Sequence, residues 1–325
     1  MKTGLLRRAL RSALVTMAML APISGMAQQQ YPTMPIRIII GFPPGTILDT
    51  VSRLVTTEME KSLGKPFIIE FKPGANGTIA AQYVANSTPD GHTLFYGNIL
   101  LCHPLFNANN GIDASKAMSP VSRFVTLPYF LVTRASLPAK SFTELVAYSK
   151  PDPDRATYGA PTATTDLLMQ MLRSKTGLAA RSIPYKSSAQ MVTALIAGEI
   201  DMTITSVQAL LPHIASGNMR AVLVTSVRKS PVLPSATTLG DIDQPSLEVA
   251  LNFGLWAPPG TSAAITRRLA SEAAKVLKTD AIMEKIRTGS AAESVGSTPE
   301  EQMRSFNQEV AYWSEAAKLA NFKPQ

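Results

Sequence analysis

Residues 36–64 constrain the fold more than any other stretch of the chain. Ile36 to Ile40 is an unbroken apolar run of strand length. Gly41-Phe42-Pro43-Pro44-Gly45 then turns the chain, and Leu48, Val51, Leu54 and Val55 recur at helical spacing until Gly64. An apolar strand that feeds through a rigid turn into an amphipathic helix is the opening unit of an α/β sheet covered by helices. The pattern repeats. Phe67 to Phe71 is the next strand, Lys72-Pro73-Gly74-Ala75-Asn76-Gly77 a turn-rich loop, Ile79 to Val84 a short helix, and Thr93 to Tyr96 a third strand.

A second block of the same kind follows Pro128. Strand candidates are Phe130 to Val132, Thr157 to Gly159, Ile183 to Tyr185, Ile200 to Thr205 and Ala221 to Thr225. Helical spacing lies between them: Phe142 with Leu145 and Val146, Leu167 to Leu172 closed by Gly177, Ala189 to Ile196, and Leu210 to Ile214. After a short strand at Phe253 to Trp256, Pro258-Pro259-Gly260 opens a tail of three helices, Ile265 to Leu277, Ala281 to Thr288 and Pro299 to Ala320. The expected fold class is α/β, two lobes each with a mainly parallel sheet flanked by helices. Crossings are expected near Leu127 to Tyr129 and Ala250 to Phe253. The expected domains are 28–128 with 251–325 for one lobe and 129–250 for the other.

The N-terminus reads as a leader. Lys2, Arg7, Arg8 and Arg11 form a basic head, Ala13 to Ile23 is mostly apolar, and Gly25-Met26-Ala27 offers the small residues of a cleavage site. Residues 1–27 are therefore expected to be a signal peptide, placing the mature chain in the periplasm; a retained anchor is the alternative, but the run is short for a membrane span. Four of the 31 basic residues belong to this segment, so the remaining 27 face 23 acidic residues, a net charge near +4. No Lys/Arg block remains to recruit nucleic acid. Cys102 is the single cysteine, so an exported chain has no internal disulfide and relies on its core.

Three helix starts are competent to hold an anion. Thr46 can cap the helix beginning at Ile47, with Asp49 at its third position as in a capping box. Asn76-Gly77-Thr78 precedes the second helix, and Ala160-Pro161-Thr162-Ala163-Thr164-Thr165 another. Unpaired N–H groups of a first helical turn and the helix dipole favour a negative oxygen. Such loops sit at the carboxyl ends of the strands, where open α/β sheets bind ligands. Asp49 has an equally simple structural role in ordering the cap. Ile47 and Leu48 either make one side of a cleft apolar or turn into the lobe core. Tyr185 ends a strand and is a cleft candidate.

Other chemistries find little support. Gly-x-x-x-x-Gly-Lys-Ser/Thr, Gly-x-Gly-x-x-Gly and Gly-x-Ser-x-Gly are all missing from the sequence. His92, His103 and His213 have no metal-ligand spacing, and Cys102 beside His103 makes no catalytic pair by adjacency alone. No enzyme activity, metal or cofactor is expected.

Together these pieces resemble a known family, the periplasmic solute receptors of tripartite tricarboxylate transporters, also called Bordetella uptake gene receptors. The resemblance runs from Tyr31-Pro32-x-x-Pro35-Ile36-Arg37, through Phe42-Pro43-Pro44-Gly45 with Asp49 and Arg53, to Pro73-Gly74-Ala75-Asn76-Gly77 and Pro89-Asp90-Gly91. It continues with Pro184-Tyr185-Lys186, Ala197 to Asp201, Leu211-Pro212-His213-Ile214, Ala257 to Thr261 and Gly296 to Glu301. It implies a type II-like, two-lobed binding protein, monomeric, that closes on a small carboxylate and hands it to an inner-membrane permease. Loop backbone groups and ordered water would hold the carboxylate, with Asp49 ordering the loop. The ligand residues implied are Phe42, Pro44, Gly45, Thr46, Ile47, Leu48, Asp49, Asn76, Gly77, Thr78, Ala160, Thr162, Thr164, Thr165, Tyr185, Thr205 and Ser206.

The chain departs from the family's pattern in places. Members commonly continue the first loop as Gly-Gly-Ser-Thr-Asp, where this chain has Gly45-Thr46-Ile47-Leu48-Asp49. A histidine of the second lobe is replaced by Asp166, and an aspartate after the Ile200 strand by the Thr205-Ser206 region. The apolar Ile47 and Leu48 suggest a ligand with an aromatic or longer aliphatic body. A sensor subunit that docks on a signalling membrane protein is the alternative function, since it needs the same hinge and cleft.

Overall fold

The computed structural model describes residues 31–107, 111–152, 154–160, 162–185, 188–320 and 322. The expected leader, residues 1–27, lies outside them, as does Lys186. Two six-stranded sheets organise the chain. β1 (Ile36–Ile40), β2 (Phe67–Phe71), β3 (Thr93–Gly97), β4 (Ser119–Pro128), β11 (Ala250–Ala257) and β12 (Glu293–Ser294) make the first, in the order β12-β4-β11-β3-β1-β2. β5 (Phe130–Arg134), β6 (Thr157–Ala160), β7 (Arg181–Pro184), β8 (Met202–Thr205), β9 (Met219–Val224) and β10 (Thr237–Thr238) make the second, in the order β10-β9-β5-β8-β6-β7.

Each sheet is mixed. β1 runs parallel to β2 and β3, and β6 parallel to β7 and β8, as their strand–helix–strand sequence requires. The antiparallel members are those that carry the chain between sheets. β11 pairs antiparallel with both β3 and β4, and β5 antiparallel with β8 and β9. The chain leaves the first sheet at Pro128 and enters the second at Phe130; it returns along β11, where Ala250 pairs with Pro128. Thr225 fastens these passages together. Its buried hydroxyl accepts from Tyr129 N–H (2.9 Å) and donates to the Val249 carbonyl (2.8 Å).

The helices follow their apolar spacing. α1 (Ile47–Leu63) buries Val51, Val55, Met59 and Leu63 at successive turns, each contributing about 1.5–3 kcal/mol as an upper bound. It stops at Gly64, whose left-handed φ of 69° suits glycine. α2 (Thr78–Ala85) packs through Ala80, Ala81 and Val84 while Ile79 and Tyr83 stay exposed, the Tyr83 ring lying under Lys72. α3 (Ala114–Ala117), α4 (Phe142–Ser149), α5 (Ala163–Thr176), α6 (Ser188–Ala197) and α7 (Leu211–Ala215) intervene before the tail of α8 (Ala263–Leu277), α9 (Asp280–Ser290) and α10 (Pro299–Leu319). A reciprocal box between Thr298 and Glu301 starts α10, and its Phe306 packs on Trp256 of β11.

The long strand β4 is not legible as an apolar run. Ser122 and Arg123 interrupt it, and Arg123 is accommodated because Ser305 of α10 accepts from its Nη1 at 2.7 Å. Bulges between Phe253 and Gly254 and between Leu255 and Trp256 likewise blur the alternation of β11.

Candidate functional site

The loop between β1 and α1 is held by a carboxylate. Gly45 has φ +83°, and a Cβ there would meet nothing within 4 Å, so glycine is required by conformation rather than space. Its N–H donates to Asp49 Oδ2 at 2.9 Å, while Asp49 Oδ1 accepts from Arg53 Nε at 2.6 Å. The expected box between Thr46 and Asp49 does not form. Thr46 is the N-cap residue, but its hydroxyl donates to the Pro43 carbonyl at 3.2 Å, and Asp49 reaches one residue further back. The two prolines fold the loop so that the Pro43 carbonyl lies under the threonine. Thr50 N–H is the first to bond within the helix, to the Thr46 carbonyl at 3.1 Å. The N–H groups of Ile47, Leu48 and Asp49 are thus left without a helical acceptor.

In the second sheet the start of α5 is arranged differently. Thr162 Oγ1 accepts from Thr165 N–H (3.2 Å), and Thr165 Oγ1 accepts from Thr162 N–H (3.1 Å). Asp166 N–H begins the helical ladder, which leaves Ala163 and Thr164 with unpaired N–H groups. Asp166 itself is engaged, accepting from Tyr158 Oη, Ser182 Oγ and Gln170 Nε2.

These two helix starts meet at one cavity of about 380 Å³, a size suited to a small organic ligand. Phe42, Gly45, Thr46, Ile47 and Leu48 line it from the first sheet, and Thr162, Thr165, Thr205 and Ser206 from the second. No charged side chain is among the described lining residues. Both Ile47 and Leu48, whose N–H groups have no helical acceptor, stand on the wall.

Other expected residues lie elsewhere. Pro44 is exposed on the turn, and Asp49 stands behind the loop it orders. Asn76, Gly77 and Thr78 buttress the first loop from outside the cavity: a Cβ on Gly41 would overlap the Gly77 backbone, and Phe42 packs against Gly77. Thr78 Oγ1 accepts from Asn107 Nδ2 at 3.0 Å. Ala160 ends β6 without lining the cavity, Thr164 is turned inward at 1% exposure, and Tyr185 packs over Gly159.

A family description for the tripartite tricarboxylate transporter family receptor matches residues 51–320. The chain belongs to this family. A UPF0065 protein of Bordetella pertussis is 32% identical over 274 residues, covering 82% of each chain. BugT of Bordetella pertussis is 29% identical over 306 residues, 93% of each. Among solved structures, R. palustris Rpa4515 with adipate superposes with a TM-score of 0.82 at 30% identity, covering 91% of this chain and 100% of that one. The periplasmic binding protein BugD gives 0.79 at 27%, again over 91% and 100%. The two-lobed α/β fold is therefore that of the solute-binding receptors.

Several residues on the wall of this receptor's cavity have no local signature in the sequence. Leu101, Tyr129, Met191, Val192, Leu251 and Phe253 are apolar residues brought in from distant segments, two of them on β11 and one at the crossing out of β4. Gln208 and Ser188 are the exceptions, each a polar residue just beyond a strand end. Cys102 is buried against the second loop, its Sγ 3.7 Å from the Asn76 carbonyl, and burial pushes its thiol up to about 12. That keeps it protonated and unreactive. Among the described residues no group of three His, Cys, Asp or Glu side chains could hold a metal ion, and no helix is long and apolar enough to cross a membrane.

Proposed function

We propose that the protein is an extracytoplasmic receptor that binds a small carboxylate with an aliphatic or aromatic body, closes its lobes on it, and delivers it to an inner-membrane permease of the tripartite tricarboxylate type. The lobes are 28–128 with 251–325 and 129–250, moving about the paired passages at Pro128 and Ala250, and the chain works in the periplasm once residues 1–27 are removed. One observation carries the reading. The cavity lies at the carboxyl ends of strands from both sheets, with Ile47 and Leu48 of the uncapped α1 first turn on its wall and no charged side chain among the described lining residues. A carboxylate oxygen is satisfied by first-turn N–H groups and by the helix dipole without a cationic clamp. Among the described lining residues an ammonium group would find no counter-charge, and both oxygens of Asp49 behind the loop are held by Gly45 and Arg53.

Phe42, Ile47, Leu48, Leu101, Met191 and Phe253 supply an apolar surround for the ligand's body. Each buried methylene contributes about 0.8 kcal/mol, so the four methylenes of adipate are worth about 3 kcal/mol, about twice what the two methylenes of citrate supply. The adipate-bound relative supports a ligand of this kind. A thermal-shift series with adipate, benzoate and citrate tests the reading. The first two raise the melting temperature by mass action and citrate raises it less. An equal rise with citrate contradicts the apolar body, and no rise with any of the three contradicts the carboxylate site.

A further inference from the structure

The passages between the sheets have a second face. Successive residues of β11 point to opposite sides, so Leu251 and Phe253 line the cavity while Ala250 and Asn252 line a groove of about 880 Å³ behind it. The outgoing passage is divided in the same way, with Tyr129 on the cavity and Leu127 and Pro128 on the groove. Met283 and Arg287 of α9 and Glu293 of β12 wall the groove from the side of the first sheet. The loop after β9, with Ser226, Arg228 and Lys229, walls it from the side of the second.

Two polar contacts bridge the sides. Across the groove, Arg228 Nη2 lies 3.6 Å from Glu293 Oε1. Beside it, Tyr312 of α10 stands one turn beyond Gln308, which lines the groove, and donates from Oη to the Ser246 carbonyl at 3.2 Å. Each partner is fixed to its own side. Glu293 pairs with Thr126 of β4, and Trp313, next to Tyr312, packs edge-on against Phe106. Around Ser246, Gln244 N–H donates to the Leu239 carbonyl at 2.9 Å and Val249 N–H to the Thr225 carbonyl at 3.4 Å. Glu248 orders the Arg228 loop. Its Oε1 accepts from Ser226 Oγ (3.3 Å) and Val227 N–H (3.1 Å), while Ser226 Oγ accepts from Arg228 N–H (3.1 Å). By contrast, Arg37–Glu70 and Arg134–Asp201 each stay on one side, and Arg287 pairs with Glu284 on its own helix.

A rotation about the passages that brings the starts of α1 and α5 together narrows the cavity. It also parts the walls of the groove, because the two spaces lie on opposite faces of one strand. We propose that Arg228–Glu293 and Tyr312–Ser246 are straps that hold the lobes apart: closing stretches them, so they set how readily the receptor closes and how tightly it holds its ligand. The proposal rests on the lobe-closing reading given above and not on the identity of the ligand.

Cutting a strap lowers the cost of the closed form, so binding tightens. In titration calorimetry Arg228→Ala binds adipate about twofold more tightly than the wild type, Tyr312→Phe about threefold, and the double variant about fivefold. Arg287→Ala, on the same groove but bridging nothing, stays within about 1.5-fold. The sign is decisive, since losing a contact with only a structural role weakens binding or leaves it unchanged. Closing is read separately with a nitroxide on one lobe and the amide relaxation of the other, an enhancement that grows with even a small closed population. Adipate raises it in the wild type, and the ligand-free double variant already shows more of it than the ligand-free wild type. If adipate binds the wild type without raising the enhancement, lobe closing itself fails and the straps with it. If adipate binds none of the proteins, the carboxylate reading fails for this probe and the ligand-free comparison alone decides. A double variant that binds no more tightly than the wild type, or shows no more ligand-free enhancement, overturns the proposal and leaves lobe closing standing.

Discussion

The first turns of α1 and α5 reach the same cavity from different sheets, and their hydrogen bonds are arranged differently. At α5, Thr162 and Thr165 satisfy each other, so the turn is closed by its own hydroxyls. At α1 the corresponding threonine turns back to the Pro43 carbonyl, and Asp49 ties down Gly45 outside the helix. Three first-turn N–H groups stay without a helical acceptor at α1, two of them on cavity-lining residues, against two at α5, neither of them on a cavity-lining residue. A helix start that caps itself fixes its loop at the expense of ligand donors. One whose restraint comes from behind the loop fixes it and keeps the donors. Under the proposed function, α1 is the expected seat of the negative oxygen, and the hydroxyls of α5 and of Thr205-Ser206 are left for the remainder of the ligand.

The same substitution at each cap separates the two most sharply. Thr46→Asp retains a good N-cap residue, so melting temperature holds or rises, while its carboxylate competes for the N–H groups; adipate affinity falls about 100-fold by calorimetry. Thr162→Asp loses about tenfold, because less of the anion's stabilisation comes from α5. Comparable losses at both sites would mean that the anion is shared equally. Removing the staple between the sheets addresses both sites at once. Thr225→Val leaves Tyr129 N–H and the Val249 carbonyl without a side-chain partner and destabilises by about 1–3 kcal/mol in denaturant titration. Asp49→Ala costs about 1 kcal/mol of stability and several-fold in affinity, since Gly45 and Arg53 both lose their acceptor. The smallest effect belongs to Thr165→Ala, about 0.5 kcal/mol with affinity changed less than about twofold, because Thr162 Oγ1 still caps the Thr165 N–H.

Much of the frame is legible in the chain because it is written in local patterns. The run Ile36 to Ile40, the stripe of α1 and its end at Gly64 need no tertiary information. β4 escapes because Ser122 and Arg123 interrupt its apolar run, and only α10, about 180 residues later, supplies the partner that accommodates Arg123. In the cavity, Thr46, Ile47, Thr162 and Thr205 could be found because each follows a strand. Asn76 to Thr78 bear the same local signature but are packed behind the first loop, so the signature marks loop edges and not the cavity itself. Tyr129 and Phe253 show the opposite case. They are ordinary apolar residues whose place is set by the crossing between sheets, and no periodicity announces it. The capping error at Thr46 has a similar origin, since only the folded turn reveals that the Pro43 carbonyl competes for its hydroxyl.

The central claim is that a cavity with no charged side chain among its described lining residues seats a carboxylate on the backbone of the α1 start and encloses its apolar body. Titration calorimetry of adipate into the wild-type protein and into Thr46→Asp tests it most directly. The account predicts saturable one-site binding to the wild type, with the negative heat-capacity change of apolar burial, and loss of that binding in a variant that still unfolds cooperatively at an unchanged or higher temperature. Adipate binding to Thr46→Asp with wild-type affinity would contradict it.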